Sequence, residues 1–328
     1  MDPLTHSATG LFLGRAGLDR FTPYAPWILV LAANAPDIDI VTLAGGQLNY
    51  LNYHRHLTHS LAAMPLLALL PVVLVRLCAR RPLRWLGAYA ISLAGVASHL
   101  LLDYTNAYGI PLLLPFSSRW LRLDLTSLVD LWIWAALLAA FAGPVLVRLV
   151  NAEIGARSSG ATRGFAIFAL LFLLLYNGGR AVLHARAVAV MNARIYSGSA
   201  PWRVAALPGP VNPLAWRGLV ETADSYIVLD VNLLEEFRPS GAVFYKAEPA
   251  PAVEAANRTA VFRDFFKFSQ FPLERATPLS DPEGATRVEA MDIRFGTPDR
   301  PAFVATAIVN SQARVIRSWF SFGAARPR

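Results

Sequence analysis

Residues 85–103 read WLGAYAISLAGVASHLLLD. No charged side chain interrupts this run before its last residue, Asp103. A helix needs about 20 mostly apolar residues to cross the hydrocarbon layer, so the stretch reads as a membrane span. Its closing turn breaks the pattern. His99 and Asp103 stand at i and i+4, on one helix face. Ionisable groups inside a membrane are costly and are functional by default. The stretch therefore predicts both a membrane fold and a site.

Outward from it, residues 60–78 (SLAAMPLLALLPVVLVRLC), 128–150 and 164–184 have the same length and apolar character. Residues 26–45 (PWILVLAANAPDIDIVTLAG) are apolar but interrupted by Pro36, Asp37 and Asp39, and residues 4–18 are short and half-polar. The expected fold is a mainly α membrane bundle of about five to six transmembrane or re-entrant helices, followed by a small C-terminal α+β domain. The expected division is 1–199 and 200–328.

Charge marks the same boundary. Up to Ser199 there are no lysines, 15 arginines and 8 acidic residues; beyond it there are 15 Lys plus Arg and 14 Asp plus Glu. Over the whole chain only 16% of residues are charged, against roughly 25% in soluble domains. The net charge of +8 comes mostly from arginines between apolar segments, without the interleaved aromatics of a nucleic-acid surface. No nucleic-acid partner is expected. Cys78 is the single cysteine and offers no internal disulfide, and MDPLTHSATG lacks the basic start of a cleavable signal.

Arginine placement predicts topology. Arg15 and Arg20, then Arg76, Arg80, Arg81 and Arg84, then Arg148, Arg157 and Arg163 occupy alternate connections, whereas the others carry Arg55, Arg119 and Arg122. The positive-inside rule puts the first set in the cytoplasm. The chain then crosses six times, with the C-terminal domain extracytoplasmic. After residue 184 the helix extends to about Tyr196, and a proline-rich linker follows (SGSAPWRVAALPGPVNP). Strands are expected at 226–233, 242–246, 286–295, 302–310 and 313–322, and one helix at 250–266.

Five of the six histidines fall in the first 100 residues: His6, His54, His56, His59 and His99. Asp37, Asp39, Asp103, Asp124 and Asp130 accompany them. The topology carries His6, Asp37, Asp39, His56, His59, His99, Asp103 and Asp130 to the outer ends of their segments. His and carboxylate ligands suit a divalent metal, zinc first, with manganese or iron as harder alternatives. The expected ligands are His6, Asp37, His59, His99 and Asp103. Asp39 and His56 are candidates for ligand or general base, Arg55 for binding an anionic oxygen, and Asn106 for orienting substrate or water. Thr5 and Thr58 each precede a ligand candidate and suit an orienting hydrogen bond. The loop Asn106–Trp120 is placed to wall the site. Plainer roles compete: Asp37 closing a turn after Pro36, Asp124 capping a helix near Leu125, Asp2 as an ordinary terminal acid, and His184 as an interfacial residue.

The strings DPLTHSATG (2–10), APDID (35–39), HRHLTHS (54–60), HLLLDYTNAYG (99–109) and PFSSRW (115–120), in this order, resemble the YdjM-like family of membrane-bound predicted metal-dependent hydrolases. The resemblance covers roughly residues 1–145, and the C-terminal domain is similar to an extension found in some members. It implies a metal-dependent hydrolase in a bacterial inner membrane. His99 and Asp103 also resemble the HxxxD pair of α-helical zinc phospholipases C and nucleases. Their later HxxxE-type pair has no counterpart here, so a three-metal site is not implied. The expected activity is hydrolysis of a lipid-related or other phosphoester at the extracytoplasmic face, with membrane lipids as surroundings. A metal or proton transporter and a scaffold holding a structural metal are the rival expectations.

Overall fold

The computed structural model describes residues 1–80, 82–156 and 160–323. Arg81 and Arg157, two of the arginines used for topology, lie outside the described residues. Contacts divide the chain into two units. The first comprises Met1–Asp39, Arg55–Arg186 and Pro208–Trp216; the second comprises Ile40–His54, Ala187–Leu207 and Arg217–Arg328. Residues 40–54 thus leave the N-terminal helices and group with the C-terminal half.

The helices run in chain order as α1 (Pro3–Arg15), α2 (Ala25–Ala32), a 3-10 stretch (Pro36–Gly45), α3 (Gln47–Tyr53), α4 (Met64–Cys78), α5 (Trp85–Thr105), α6 (Leu131–Glu153) and α7 (Ala161–Asn192). Among the described residues, α5, α6 and α7 are long and apolar enough to cross a membrane. The number rises to five if α2 with Pro36–Gly45, and Gln47–His59 with α4, each form one broken span. With 13 residues, α1 is about 20 Å long, short of a roughly 30 Å hydrocarbon core.

The first unit is built around α2, whose Ile28, Leu29, Ala32 and Ala33 are fully buried. Small residues let its neighbours approach closely, the usual packing device between membrane helices. A Cβ on Gly10 of α1 would lie 2.6 Å from the Leu29 carbonyl oxygen, and one on Gly95 of α5 would lie 2.7 Å from the Ala32 Cβ. Ser92 of α5 donates to the Ala68 carbonyl of α4 (2.7 Å), satisfying its hydroxyl between apolar helices. A buried Arg180 on α7 ties irregular backbone to the bundle. It donates to the carbonyls of Leu125 (2.8 Å) and Pro213 and lies over the Trp216 ring at 3.9 Å. His184 packs edge-on against the same indole, at 5.4 Å.

In the second unit, strands β1 (Arg203–Pro208), β2 (Ala215–Glu221), β3 (Ser225–Asn232) and β4 (Ala242–Tyr245) form one sheet in that order. Helices α8 (Pro251–Asn257) and α9 (Ala260–Phe268) follow. The next strands are β5 (Pro272–Pro278), β6 (Thr286–Asp292), the two-residue pair β7 (Gly296–Thr297) and β8 (Arg300–Pro301), β9 (Phe303–Val309) and β10 (Val315–Phe322). A second sheet, antiparallel throughout, has the order β10-β9-β6-β5. α3 belongs here: Asn52 donates to Asp264 of α9 (2.9 Å), and Gln47 accepts from the Phe322 N–H (3.3 Å).

Five strands differ from the sequence expectation. β1 lies inside the stretch taken as a linker, and β2, β5 and the short pair β7 and β8 were not anticipated. The single helix expected at 250–266 is two, because the Thr259 hydroxyl caps a new helix through the Phe262 N–H. α7 ends at Asn192 rather than near Tyr196.

Candidate metal centre

Asp103 closes α5 and is fully buried. Its neighbours arrive from four places in the chain. His99 comes from the same helix one turn earlier. His6 comes from α1, Asp37 from the 3-10 stretch after α2, and His59 from a short 3-10 turn (Leu57–His59) before α4. Asp37, His59, His99 and Asp103 each offer one ligand atom within 4.8 Å of all the others. His59 Nε2 is 3.1 Å from His99 Nε2, 3.4 Å from Asp103 Oδ2 and 3.5 Å from Asp37 Oδ1. His99 Nε2 is 3.5 Å from Asp103 Oδ2 and 3.7 Å from Asp37 Oδ1.

The hydrogen bonds behind the rings fix which nitrogen carries the proton. His99 Nδ1 is 2.7 Å from the Ala33 carbonyl, which only accepts, so Nδ1 bears the proton and Nε2 a lone pair. His59 Nδ1 faces Asp39 Oδ2 at 3.3 Å and Thr58 Oγ1 at 3.1 Å. The Thr58 hydroxyl donates to Asp39 (2.6 Å), so its oxygen is left to accept from His59. His59 then also turns a lone pair inward. Two imidazole lone pairs and two carboxylate oxygens face one another, and Asp103 Oδ2 has no hydrogen-bond donor. Buried acceptors without donors are unfavourable, and a cation resolves that arrangement. The backing of each ring by a carbonyl or carboxylate is the usual support of metal-bound histidine. These four residues could hold a divalent metal.

The remaining candidates are distributed around this group. His6 stacks on His99 (centroids 3.9 Å apart), and its Nε2 is 3.4 Å from Asp103 Oδ1. Neither of its ring nitrogens has a hydrogen-bond partner. It lies beside the four-residue group, against the other oxygen of Asp103. Arg55 reaches that same oxygen (3.1 Å) and covers the Tyr108 ring at 4.7 Å. Its backbone adopts φ +56°, rare for a side chain of its size, with the N–H donating to Asp39 (2.9 Å). Such strain persists where surrounding contacts hold it, commonly at functional sites. The Met1 amino group also contacts Asp103 Oδ1. Asn106 donates to Asp103 Oδ1 (3.3 Å) and accepts from the N–H groups of Tyr108 and Gly109, which ties the loop after α5 to the site.

Asp39 makes its contacts behind His59, where it orients a ring. His56 is half-buried and begins the turn that carries His59. His54 stacks on Tyr50 in α3, at 4.4 Å. Thr5 binds Asp2 (2.6 Å), not a histidine.

Three acids have other work. Asp130 caps α6 by accepting from the Trp132 and Ile133 N–H groups, and it accepts from the Tyr176 hydroxyl (3.2 Å). Asp124 begins no helix; it has φ +56° and pairs with Arg122. Asp2 caps α1 through the Leu4 and Thr5 N–H groups. Sequence reading passed over Arg180, although an arginine inside the apolar run 164–184 was the signal for a buried contact.

A sequence model of the YdjM inner membrane protein family matches residues 1–187, more than half of the chain. The chain belongs to the YdjM inner membrane protein family. The match spans every residue of the metal group. A membrane location follows from the family and from the apolar helices. The chain is also similar to "Uncharacterized protein YfhP" of Bacillus subtilis (strain 168), at 32% identity over 151 residues. That alignment covers 43% of this chain and 46% of YfhP, so the chain spans about half the length of the curated relative it matches. No solved structure matches the chain.

Proposed function

We propose that the chain is a membrane-bound, metal-dependent hydrolase acting on a phosphoester or lipid-linked substrate at the extracytoplasmic membrane face. The observation that carries this is the convergence of Asp37, His59, His99 and Asp103 on one point, with the Arg55 guanidinium beside it. Two histidines and two carboxylates suit zinc. The five ligand-atom separations above, 3.1–3.7 Å, are short enough for one divalent ion to reach all four residues.

A bound divalent cation supplies Lewis acidity and lowers the pKa of a water to about 7. The protein's own side chains do the rest. Arg55 binds a phosphate oxygen as a charge-assisted donor. Asn106 positions substrate against Asp103. Asp39 and Thr58 hold the His59 ring in register. His56, half-buried at the edge of the turn, takes the proton as water's oxygen bonds to phosphorus. The phosphorus–oxygen bond to the leaving alcohol breaks, and the alcohol takes up that proton. The arginine bias along the sequence supports a centre and a C-terminal domain outside the cytoplasm.

The test is elemental analysis of the full-length chain in nanodiscs, paired with release of product from phosphate mono- and diesters. Bound metal near one per chain is expected, with both metal and turnover lost in His59→Ala and Asp103→Ala. Metal-free wild type, or unchanged turnover in both variants, overturns the proposal. Metal uptake by proteoliposomes without hydrolysis replaces it with transport.

A further inference from the structure

On the side of α1 away from His99, an apolar groove of about 400 Å³ runs between α1, α2 and α6. Its floor is formed by Thr5, Ala8 and Leu137, all buried, and its rims by Leu4 and Leu138, which are 64% and 60% exposed. It exists because small residues of α1 face large ones of α6: Ala8 and Ser7 stand against Trp134, Leu138 and Phe141. On both helices the lining extends over eight residues, Leu4 to Leu11 and Trp134 to Phe141, or about 10 Å of helix.

Two observations say what fills it. First, α6 is long and apolar enough to cross a membrane, and in a bilayer the medium beside the groove is hydrocarbon. Second, the groove has one polar end, and that end adjoins the metal centre. Trp134 Nε1 donates to Asp2 (3.1 Å), and Asp2 also accepts from Thr5, which lines the groove. The next residue, His6, turns to Asp103 at 3.4 Å. The first turn of α1 is therefore the wall between an apolar slot and the candidate catalytic centre.

We infer that the groove seats one hydrocarbon chain of the substrate, which is a lipid phosphoester drawn sideways from the bilayer, with its phosphate delivered over the first turn of α1 to Arg55 and the metal ligands. This rests on the hydrolase function proposed above and names its substrate class.

The experiment uses the full-length chain in nanodiscs carrying a trace of phosphatidic acid with a photoreactive diazirine on its acyl chain. Label is expected to concentrate on the peptides containing Leu4–Leu11 and Trp134–Phe141, several-fold above the exposed Leu171, Leu174 and Leu175 of α7. Ala8→Trp, which fills the floor, and Leu138→Trp, which fills from the rim and tolerates bulk, are each expected to cut that labelling several-fold with metal content retained. Both are also expected to slow hydrolysis of dioleoyl but not dihexanoyl phosphatidic acid. Labelling needs no turnover, so it reads the groove separately from the chemistry. Labelling as even as that of α7, or unchanged in both metal-retaining variants, overturns the groove assignment. Absence of metal and turnover in the wild type overturns the hydrolase function instead.

Discussion

Among the described residues, Asp292 and Asp103 are carboxylates with no exposed side-chain surface, and their two oxygens are partnered differently. In the second unit, Asp292 meets Arg294 through Nη2 (2.7 Å) and Nε, and accepts from the N–H groups of Arg294 and Gln270. In the first unit, Asp103 Oδ2 has no donor and faces two histidine nitrogens that carry lone pairs. A structural buried charge comes with its partners; a ligand set leaves its acceptors facing inward. The difference separates a group that holds the fold from one arranged to hold something else.

The largest expected effect lies on the structural side. Asp292→Ala breaks a buried ion pair by removing the carboxylate that faces Arg294, which costs about 3–5 kcal/mol. Thermal denaturation of the full chain should show this loss equally with and without chelator, and metal content should not change. The acid response has a defined sign. Burial alone would raise the Asp292 carboxyl, but the Arg294 guanidinium and the surrounding hydrogen bonds hold it below its ordinary value. The stabilisation is therefore full above the unfolded-state pKa and is lost as pH falls through the folded one. Asp292→Asn should remove that acid-dependent component. A chelator-dependent loss in Asp292→Ala would break the comparison.

The next effect lies behind the candidate metal ligands. Asp39→Asn weakens the support of His59 and should reduce metal affinity about 10–100-fold, the usual range for groups that orient a ligand. Competition with a chromophoric chelator measures it, and a change within error would reduce Asp39 to a backbone anchor for Arg55. Smallest is Thr58→Val, which removes one hydrogen bond to Asp39 and one to His59. It should cost about 1 kcal/mol of stability or less, read as a small shift in melting temperature when metal is present.

The sequence made the ligand types visible because His and Asp are expensive in apolar helices, so each one stands out. Spacing alone could not separate ligands from caps. Asp130 looks like Asp103 in the sequence, yet one caps α6 and the other ends α5 facing two histidines. Only the chain path before each residue decides that. Two of the missed strands, β1 and β5, share a cause. β5 begins with Pro272 and ends with Pro278, and β1 ends at Pro208. Both are edge strands, the positions in a sheet that tolerate proline, so the residue that signals a break was here marking an edge. Residues 40–45 carry no charged side chain and end an apolar run, which is why they read as membrane sequence although they group with the C-terminal half.

The glycines on either side of α2 have a reach beyond packing. Gly10 is one helical turn past His6, and Gly95 one turn before His99, and both press on the same short stretch of α2. Together they let α1 and α5 close on one bare stretch of α2 backbone, and the two helices then meet at the stacked imidazoles of His6 and His99. A methyl group added at either point would push its helix off α2 and move the histidine one turn away, so the position of each ring depends on a residue that has no side chain and does not touch it.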